Sequence, residues 1–245
     1  MENQLPQTFS LKDLEVAIEE YEFIGDIFPK GEVSIIHGDA GSGKSYSVMK
    51  FLNLHGIEPI HVNLDYTPGL EEFKKINVDS NFLNKILRKP NFNTEEEKEN
   101  FYKEIENQKV IIIDTYTVFI SWFTELLYEI KKDNKKYKEE EIQRLAYNFF
   151  KNLSKICNVT VIVIGHTADF VGKPNIFRDN PFLIRNSAEA LWLEKVEYKE
   201  TKSRPAFIEY NLHINKGRGN GGARIIKNWM RDSIVEQVFN NKEHK

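Results

Sequence analysis

The chain alternates between short apolar runs of strand length and longer segments with helical periodicity. The apolar runs predict strands over residues 33–36, 60–64, 110–113, 159–164 and 191–193. The helical segments between them cover residues 46–55, 83–88, 95–107 and 116–153. Uninterrupted β-branched runs are typical of strands that are buried on both faces of a parallel sheet. The alternation of such strands with helices therefore predicts an α/β fold.

The two ends of the chain depart from this alternation. Residues 1–30 form a polar N-terminal segment with one amphipathic helix predicted over residues 11–21, and residues 31–245 are predicted to form one core. Towards the C-terminus, residues 206–215 and 224–229 alternate between apolar and polar positions on either side of a glycine-rich segment, which is typical of a β-hairpin. We therefore predict a mostly parallel central sheet, flanked by helices, with a C-terminal antiparallel hairpin.

The composition of the chain is that of an ordinary globular protein. The chain has 245 residues, of which 40% are hydrophobic and 29% charged, as in ordinary globular domains. Its single cysteine, Cys157, excludes an internal disulfide and is interpreted as structural. The absence of a signal segment or a membrane-length apolar run predicts a cytoplasmic protein with no membrane contact.

The distribution of charge says more than the net charge of −3. Residues 1–30 carry two basic and seven acidic side chains, whereas residues 201–245 carry nine basic and four acidic ones. Such asymmetry suits a basic face around a polyanion, or contact between the acidic and basic faces of neighbouring subunits.

A complete phosphate-binding motif, G-x-x-x-x-G-K-S/T, lies between a predicted strand and a predicted helix. In this motif the backbone N–H groups surround the phosphates, Lys44 reaches the β- and γ-phosphates, and the Ser45 hydroxyl ligates Mg²⁺. The start of the following helix adds its positive dipole end. We therefore predict ATP and Mg²⁺ as cofactors. The predicted nucleotide-binding residues are Gly38, Asp39, Ala40, Gly41, Ser42, Gly43, Lys44, Ser45 and Tyr46.

Two further residues at strand ends complete the predicted site. Asp114 follows the apolar run 110–113, and a carboxylate at this place organises Mg²⁺. His166 ends the next strand, where a polar side chain can contact the γ-phosphate and report hydrolysis to the segment that follows. Ser45 and Asp114 are the predicted metal residues.

On these residues the chain resembles the RecA-like ATPases, and among them the DnaB- and plasmid RepA-type hexameric ring helicases. Residues 24–34 are similar to the segment that precedes the phosphate loop in that group, and residues 216–224 to its K-x-R-N-G-x-x-G segment, although Gly219 and Asn220 stand in the opposite order. The resemblance covers about residues 25 to 230.

The resemblance implies roles for residues outside the motif. It places the catalytic carboxylate at Asp65, where the family has Glu, so hydrolysis is expected to be slow. It implies that Lys216 and Arg218 act on the nucleotide that is bound by the neighbouring subunit. It also assigns the segment 167–185 to single-stranded DNA or RNA, with Lys173, Arg178 and Arg185 on phosphates and an aromatic residue stacking on a base. The aromatic candidates are Phe170, Phe177 and Phe182.

Several functions stay open at this stage. The leading hypothesis is a ring-forming homo-oligomeric translocase or helicase on single-stranded DNA in replication. A RecA-like recombination or strand-annealing ATPase is the nearest alternative, and the spacing of Lys216 and Arg218 favours the helicase. A nucleotide-gated adaptor and a P-loop kinase are the others, but no Arg-rich lid is evident for a kinase.

Overall fold

The computed structural model describes residues 22–65, 69–87, 94–131, 137–166, 181–201, 205–216 and 224–230. Its strands are β1 (Phe23–Ile24), β2 (Phe28–Pro29), β3 (Val33–Gly38), β4 (Ile60–Asn63), β5 (Ile76–Val78), β6 (Val110–Asp114), β7 (Thr160–His166), β8 (Glu189–Tyr198), β9 (Phe207–Lys216) and β10 (Arg224–Ile226). Its helices are α1 (Lys44–Leu54), α2 (Ser80–Leu87), α3 (Glu95–Gln108), α4 (Tyr116–Lys131), α5 (Glu139–Cys157) and α6 (Pro181–Asn186).

Eight of these strands form one sheet in the order β10-β9-β8-β3-β7-β6-β4-β5. The pairs from β8 across to β5 are parallel, whereas β9 runs antiparallel to β8 and β10 antiparallel to β9. Helices cover the sheet on both faces, so the predicted α/β class, the mostly parallel sheet and the C-terminal antiparallel hairpin are confirmed. β1 and β2 form a separate two-stranded ribbon.

Each face of the sheet has its own apolar core because successive strand residues point to opposite sides. Ile111 and Ile113 of β6 face α4 and α5, whereas Ile112 between them faces α1. All five residues of β6 are buried, as are the first six of β7. Burial on both faces is the physical reason that these segments are continuous apolar runs in the sequence.

The structure differs from the predicted elements where local sequence is a weak guide. The predicted helical segment 116–153 is two helices, α4 and α5, and α5 begins with three glutamates that favour a helix N-terminus. β5 was not predicted, because three residues with a central Asn give too little pattern. α6 was not predicted, and it overlaps the end of the segment 167–185 that the resemblance assigns to nucleic acid. β8 continues past residue 193 through charged residues that pair only with β9.

The helix predicted over residues 11–21 lies outside the described residues. Among the described helices, none combines the length and the apolar character that crossing a membrane requires.

Phe119 is a central residue of the aromatic core between α4 and α5. Its ring is fully buried on α4, and five aromatic rings lie around it, with centroids 4.6 to 6.4 Å away: Tyr116, Trp122, Phe123, Phe149 and Phe150. Replacement by alanine leaves a cavity between α4 and α5. Phe119→Ala should lower the free energy of unfolding by about 3–5 kcal/mol, measured by urea denaturation.

The control for this variant is Leu54→Ala at the end of α1, where the side chain is 69% exposed. Its effect should stay within about 0.5 kcal/mol. Equal losses in the two variants would contradict the assignment of Phe119 to the core.

Candidate functional site

The phosphate loop joins the end of β3 to the start of α1. Gly41 and Gly43 have φ of 72° and 80°, the left-handed region in which glycine is favoured. The Ser42 N–H donates to the Asp39 carbonyl at 3.1 Å, which closes the turn. A Cβ on Gly38 would lie 2.3 Å from the Leu193 carbonyl oxygen on β8, so this position accepts only glycine without a backbone shift.

Lys44 is folded back over the loop and is almost fully buried. Its Nζ donates to the carbonyl oxygens of Gly38 at 2.9 Å and Asp39 at 2.7 Å. Burial lowers the pKa of Lys44 to about 8, although the negative charges of Asp114 and Asp39 act in the opposite direction. The loop therefore holds a poorly solvated cation, which an anion such as a phosphate would stabilise.

His37 precedes the loop and does not add to this charge. Burial, and then the positive charge of Lys44, lower the pKa of His37 to about 4. Its imidazole is neutral near physiological pH, so His37 adds no positive charge beside Lys44.

Asp114 ends β6 with its side chain fully buried. It lines the same cavity as Ser45, so that a carboxylate and a hydroxyl oxygen lie around one space. Oxygen donors of this kind are the ligands that Mg²⁺ prefers, and few protein ligands suffice because Mg²⁺ keeps several waters. The donor set thus fits the predicted Mg²⁺.

His166 ends β7, the strand between β3 and β6. Its Nδ1 lies 3.4 Å from Lys44 Nζ. Because an ammonium group can only donate, Nδ1 is the acceptor in this contact and the ring hydrogen is on Nε2. His166 therefore lies next to the group that is expected to bind the γ-phosphate.

One cavity of about 650 Å³ brings most of the predicted site residues together. Its volume is in the range of ligand pockets. The predicted residues that line it are Gly41, Gly43, Lys44, Ser45, Tyr46, Asp65, Asp114 and His166. Of the other predicted residues, Arg185 is exposed on α6 and is not among the residues that line the cavity, and Lys216 ends β9. Arg218, Lys173 and Arg178, with Phe170 and Phe177, lie outside the described residues.

Glu72 is a lining residue that the sequence analysis missed. It lies in the segment 69–75 between β4 and β5, which is attached to α1 at two points. The Asn53 side chain accepts from the Lys74 N–H at 2.8 Å and donates to the Lys74 carbonyl at 3.0 Å, and the Tyr46 and Phe73 rings meet edge to face at 5.0 Å. In the sequence Glu72 has no motif around it, and only the attachment of this segment brings it to the cavity with Asp65.

The sequence has no match among family models or curated proteins, whereas its structure does have relatives. One is the KaiC-like protein PH0186 from the archaeon Pyrococcus horikoshii OT3, with a TM-score of 0.50 and 17% identity over 82% of this chain and 86% of that chain. Another is the flagellar accessory protein FlaH from Methanocaldococcus jannaschii, with a TM-score of 0.50 and 13% identity over 83% of this chain and 87% of that chain.

These similarities show a RecA-like P-loop fold. At such low identity they concern the fold alone. The closer relation to DnaB- and RepA-type ring helicases is not confirmed by these neighbours and stays a prediction.

The lowered pKa of Lys44 leads to a prediction for nucleotide affinity. With a pKa of about 8, Lys44 is protonated at neutral pH and loses its proton as the pH rises through 8. Bound phosphate favours the protonated form, so binding weakens once the free protein has lost that proton. ATP affinity, measured by calorimetry, should therefore fall as the pH is raised from neutral to well above 8. Lys44→Met should bind weakly at all pH values, and an equally steep fall in that variant would contradict the assignment to Lys44.

Proposed function

We propose that the chain is an ATP hydrolase that works as a ring-forming motor on single-stranded DNA, a translocase or helicase in replication. The observation that carries the hydrolase part is the meeting of Lys44, Asp114 and His166 in one cavity with the exposed carboxylate of Asp65. The RecA-like neighbours support ATP hydrolysis in general. The helicase part relies on the resemblance of residues 216–224 to the DnaB-type segment.

The geometry suits hydrolysis in the following way. The loop N–H groups and Lys44 hold the phosphates, and Ser45 and Asp114 would hold Mg²⁺, which neutralises charge on the β- and γ-phosphates when bound. Asp65 accepts a hydrogen bond from the attacking water and so orients it. Glu72 is a second carboxylate at the same cavity and can assist through an intervening water.

The register of β9 supports a role for Lys216 in the neighbouring subunit. Lys216 pairs with Ala190 on β8, which is level with Ile35 on β3. Gly38, where the phosphate loop begins, lies three residues further along β3, about 10 Å away in the strand direction. The end of β9 thus lies towards the opposite edge of the sheet from the chain's own phosphate loop. A group there is better placed to act on the site of another copy.

A nucleotide-gated adaptor is the second candidate, because Asp65 stands where the DnaB-type family has Glu. One of the structural neighbours, FlaH, is described as an accessory protein. An adaptor of this kind would bind ATP in the same cavity and turn it over slowly, without dependence on DNA.

The first test measures the ATPase rate per subunit against protein concentration, with and without single-stranded DNA. A motor that assembles on DNA should show a rate that rises with concentration and rises further with DNA. Lys44→Ala should remove hydrolysis in both conditions, because phosphate binding is lost. A rate that depends on neither protein concentration nor DNA would exclude the ring and favour the adaptor or a kinase.

Arg218 provides a test of action across a subunit interface. Arg218→Ala should bind ATP normally and lose turnover by about 1,000-fold or more, the usual contribution of an arginine finger. Lys227→Ala, at an exposed basic residue of the same C-terminal region, should leave the rate unchanged.

Mixing the two inactive variants makes the test decisive. Lys44→Ala subunits have an intact Arg218, and Arg218→Ala subunits have an intact phosphate loop. In a mixed assembly some sites contain both, so part of the activity should return. Absence of any recovery, in mixtures shown to co-assemble, would mean that Arg218 does not act in trans.

A further inference from the structure

A buried histidine connects the carboxylate that is expected to organise Mg²⁺ with β5, the outermost strand of the central sheet. His61 lies on β4, between Asp114 on β6 and Asn77 on β5. Its Nε2 lies 3.3 Å from Asp114 Oδ2, and its Nδ1 lies 3.2 Å from Asn77 Oδ1. The side chains of His61 and Asp114 are both fully buried. The three residues form a polar connection across three neighbouring strands.

The direction of the inner hydrogen bond follows from the chemistry of the two groups. An ionised carboxylate can only accept, so His61 Nε2 carries a hydrogen and donates it to Asp114. The Asn77 amide has an acceptor and donors at its end, and it can pair with Nδ1 whether or not that nitrogen carries a hydrogen. Contacts at both nitrogens fix the plane of the ring and hence the direction of the N–H that faces Asp114.

The surroundings of His61 argue against a role in filling space. The neighbouring position on β6 is Ile112, and His61 lines a cavity of about 370 Å³ in which apolar Leu70 and Phe73 stand beside polar residues, namely Asn63, Glu71, Lys75 and Asn77. A fully buried imidazole costs free energy unless it is paired, whereas an aliphatic side chain would carry no such cost. Unlike an aliphatic side chain, His61 can donate a hydrogen bond to Asp114.

We propose that His61 is a positioning residue for the metal site: it holds the Asp114 carboxylate in the orientation that Mg²⁺ requires, and Asn77 holds His61. The proposal rests on the proposed function, since Asp114 has this task only if the cavity binds Mg²⁺ with a nucleotide. Loss of a hydrogen-bond partner of a metal-binding group typically costs about 10- to 100-fold in metal affinity or activity. The strength of metal binding would thus depend on β4 and β5 as well as on β6.

The test measures the affinity of a non-hydrolysable ATP analogue in Mg²⁺ and in EDTA, so that no turnover is needed. The ratio of the two affinities is the gain due to the metal. His61→Leu should reduce this gain by about 10- to 100-fold and leave the affinity in EDTA unchanged, because the phosphate loop is intact. His61→Gln should keep most of the gain, since its amide N–H can replace Nε2. Asn77→Leu should cause a smaller loss, because His61 remains but lacks its orienting partner.

The matched control is His213→Leu. His213 Nε2 lies 2.8 Å from a Glu194 oxygen, so the variant also removes a histidine–carboxylate pair, but neither residue lines the nucleotide cavity. Its metal gain should equal that of the wild type.

Two results would overturn the positioning role: an unchanged metal gain in His61→Leu and Asn77→Leu, or equal losses in Mg²⁺ and in EDTA in variants that melt like the wild type. If His61→Leu fails to fold, Asn77→Leu and His61→Gln decide between the same outcomes. A wild-type protein that does not bind the analogue at all would overturn the proposed function itself.

Discussion

Parallel strands bring their carboxyl ends to the same edge of a sheet, and the candidate site of this protein depends on that constraint. β3, β7 and β6 are neighbours whose apolar residues are buried on both faces, so a shift in register would disrupt the packing of both cores. In the observed register Gly38 pairs with His166, and Asp114 pairs with Ile164. The phosphate loop and two polar side chains therefore meet because of apolar packing to which they contribute nothing themselves.

The cavity is lined by a buried cation, Lys44, and a buried carboxylate, Asp114. Lys44 is a buried cation over two backbone carbonyls, and the neighbouring His37 is kept neutral by burial and by Lys44. Asp114 is a buried carboxylate with an imidazole nitrogen at 3.3 Å. A phosphate that binds there would take over Lys44 N–H donors that now lie on backbone carbonyls, and it would compensate a cation that burial leaves poorly solvated.

The similarity to a KaiC-like protein and to FlaH concerns the fold and does not by itself indicate which function the chain has. A RecA-like fold supports ATP-driven activities of different kinds, and the same cavity would serve a motor or an adaptor. The two functions differ in parts outside the cavity: the segment after Lys216, which would act on a neighbouring subunit, and the segment after His166, which would contact DNA. Measurements of assembly and of DNA dependence would therefore distinguish the two proposals better than measurements of nucleotide binding.

The sequence by itself determined the elements that have strong local signals. The apolar runs predicted the central strands, and the G-x-x-x-x-G-K-S motif predicted the loop at Lys44, because both depend on residue types at fixed spacing. It also predicted the boundary residues Asp114 and His166, because each directly ends an apolar run. Weaker signals were not predicted: β5 is only three residues long, and the start of α5 at Glu139 lies in a charged stretch that is compatible with a helix.

Only the tertiary structure decided which further polar residues lie beside Lys44, Asp114 and His166. Glu72 reaches the cavity because Asn53 and Tyr46 attach its segment to α1. His61 reaches Asp114 because β4 lies next to β6, although the two residues are 53 positions apart in the sequence. Neither residue belongs to a motif, so no local pattern indicates its neighbours. Contacts between distant segments follow from strand order and packing, which many residues determine together and no single stretch of sequence contains.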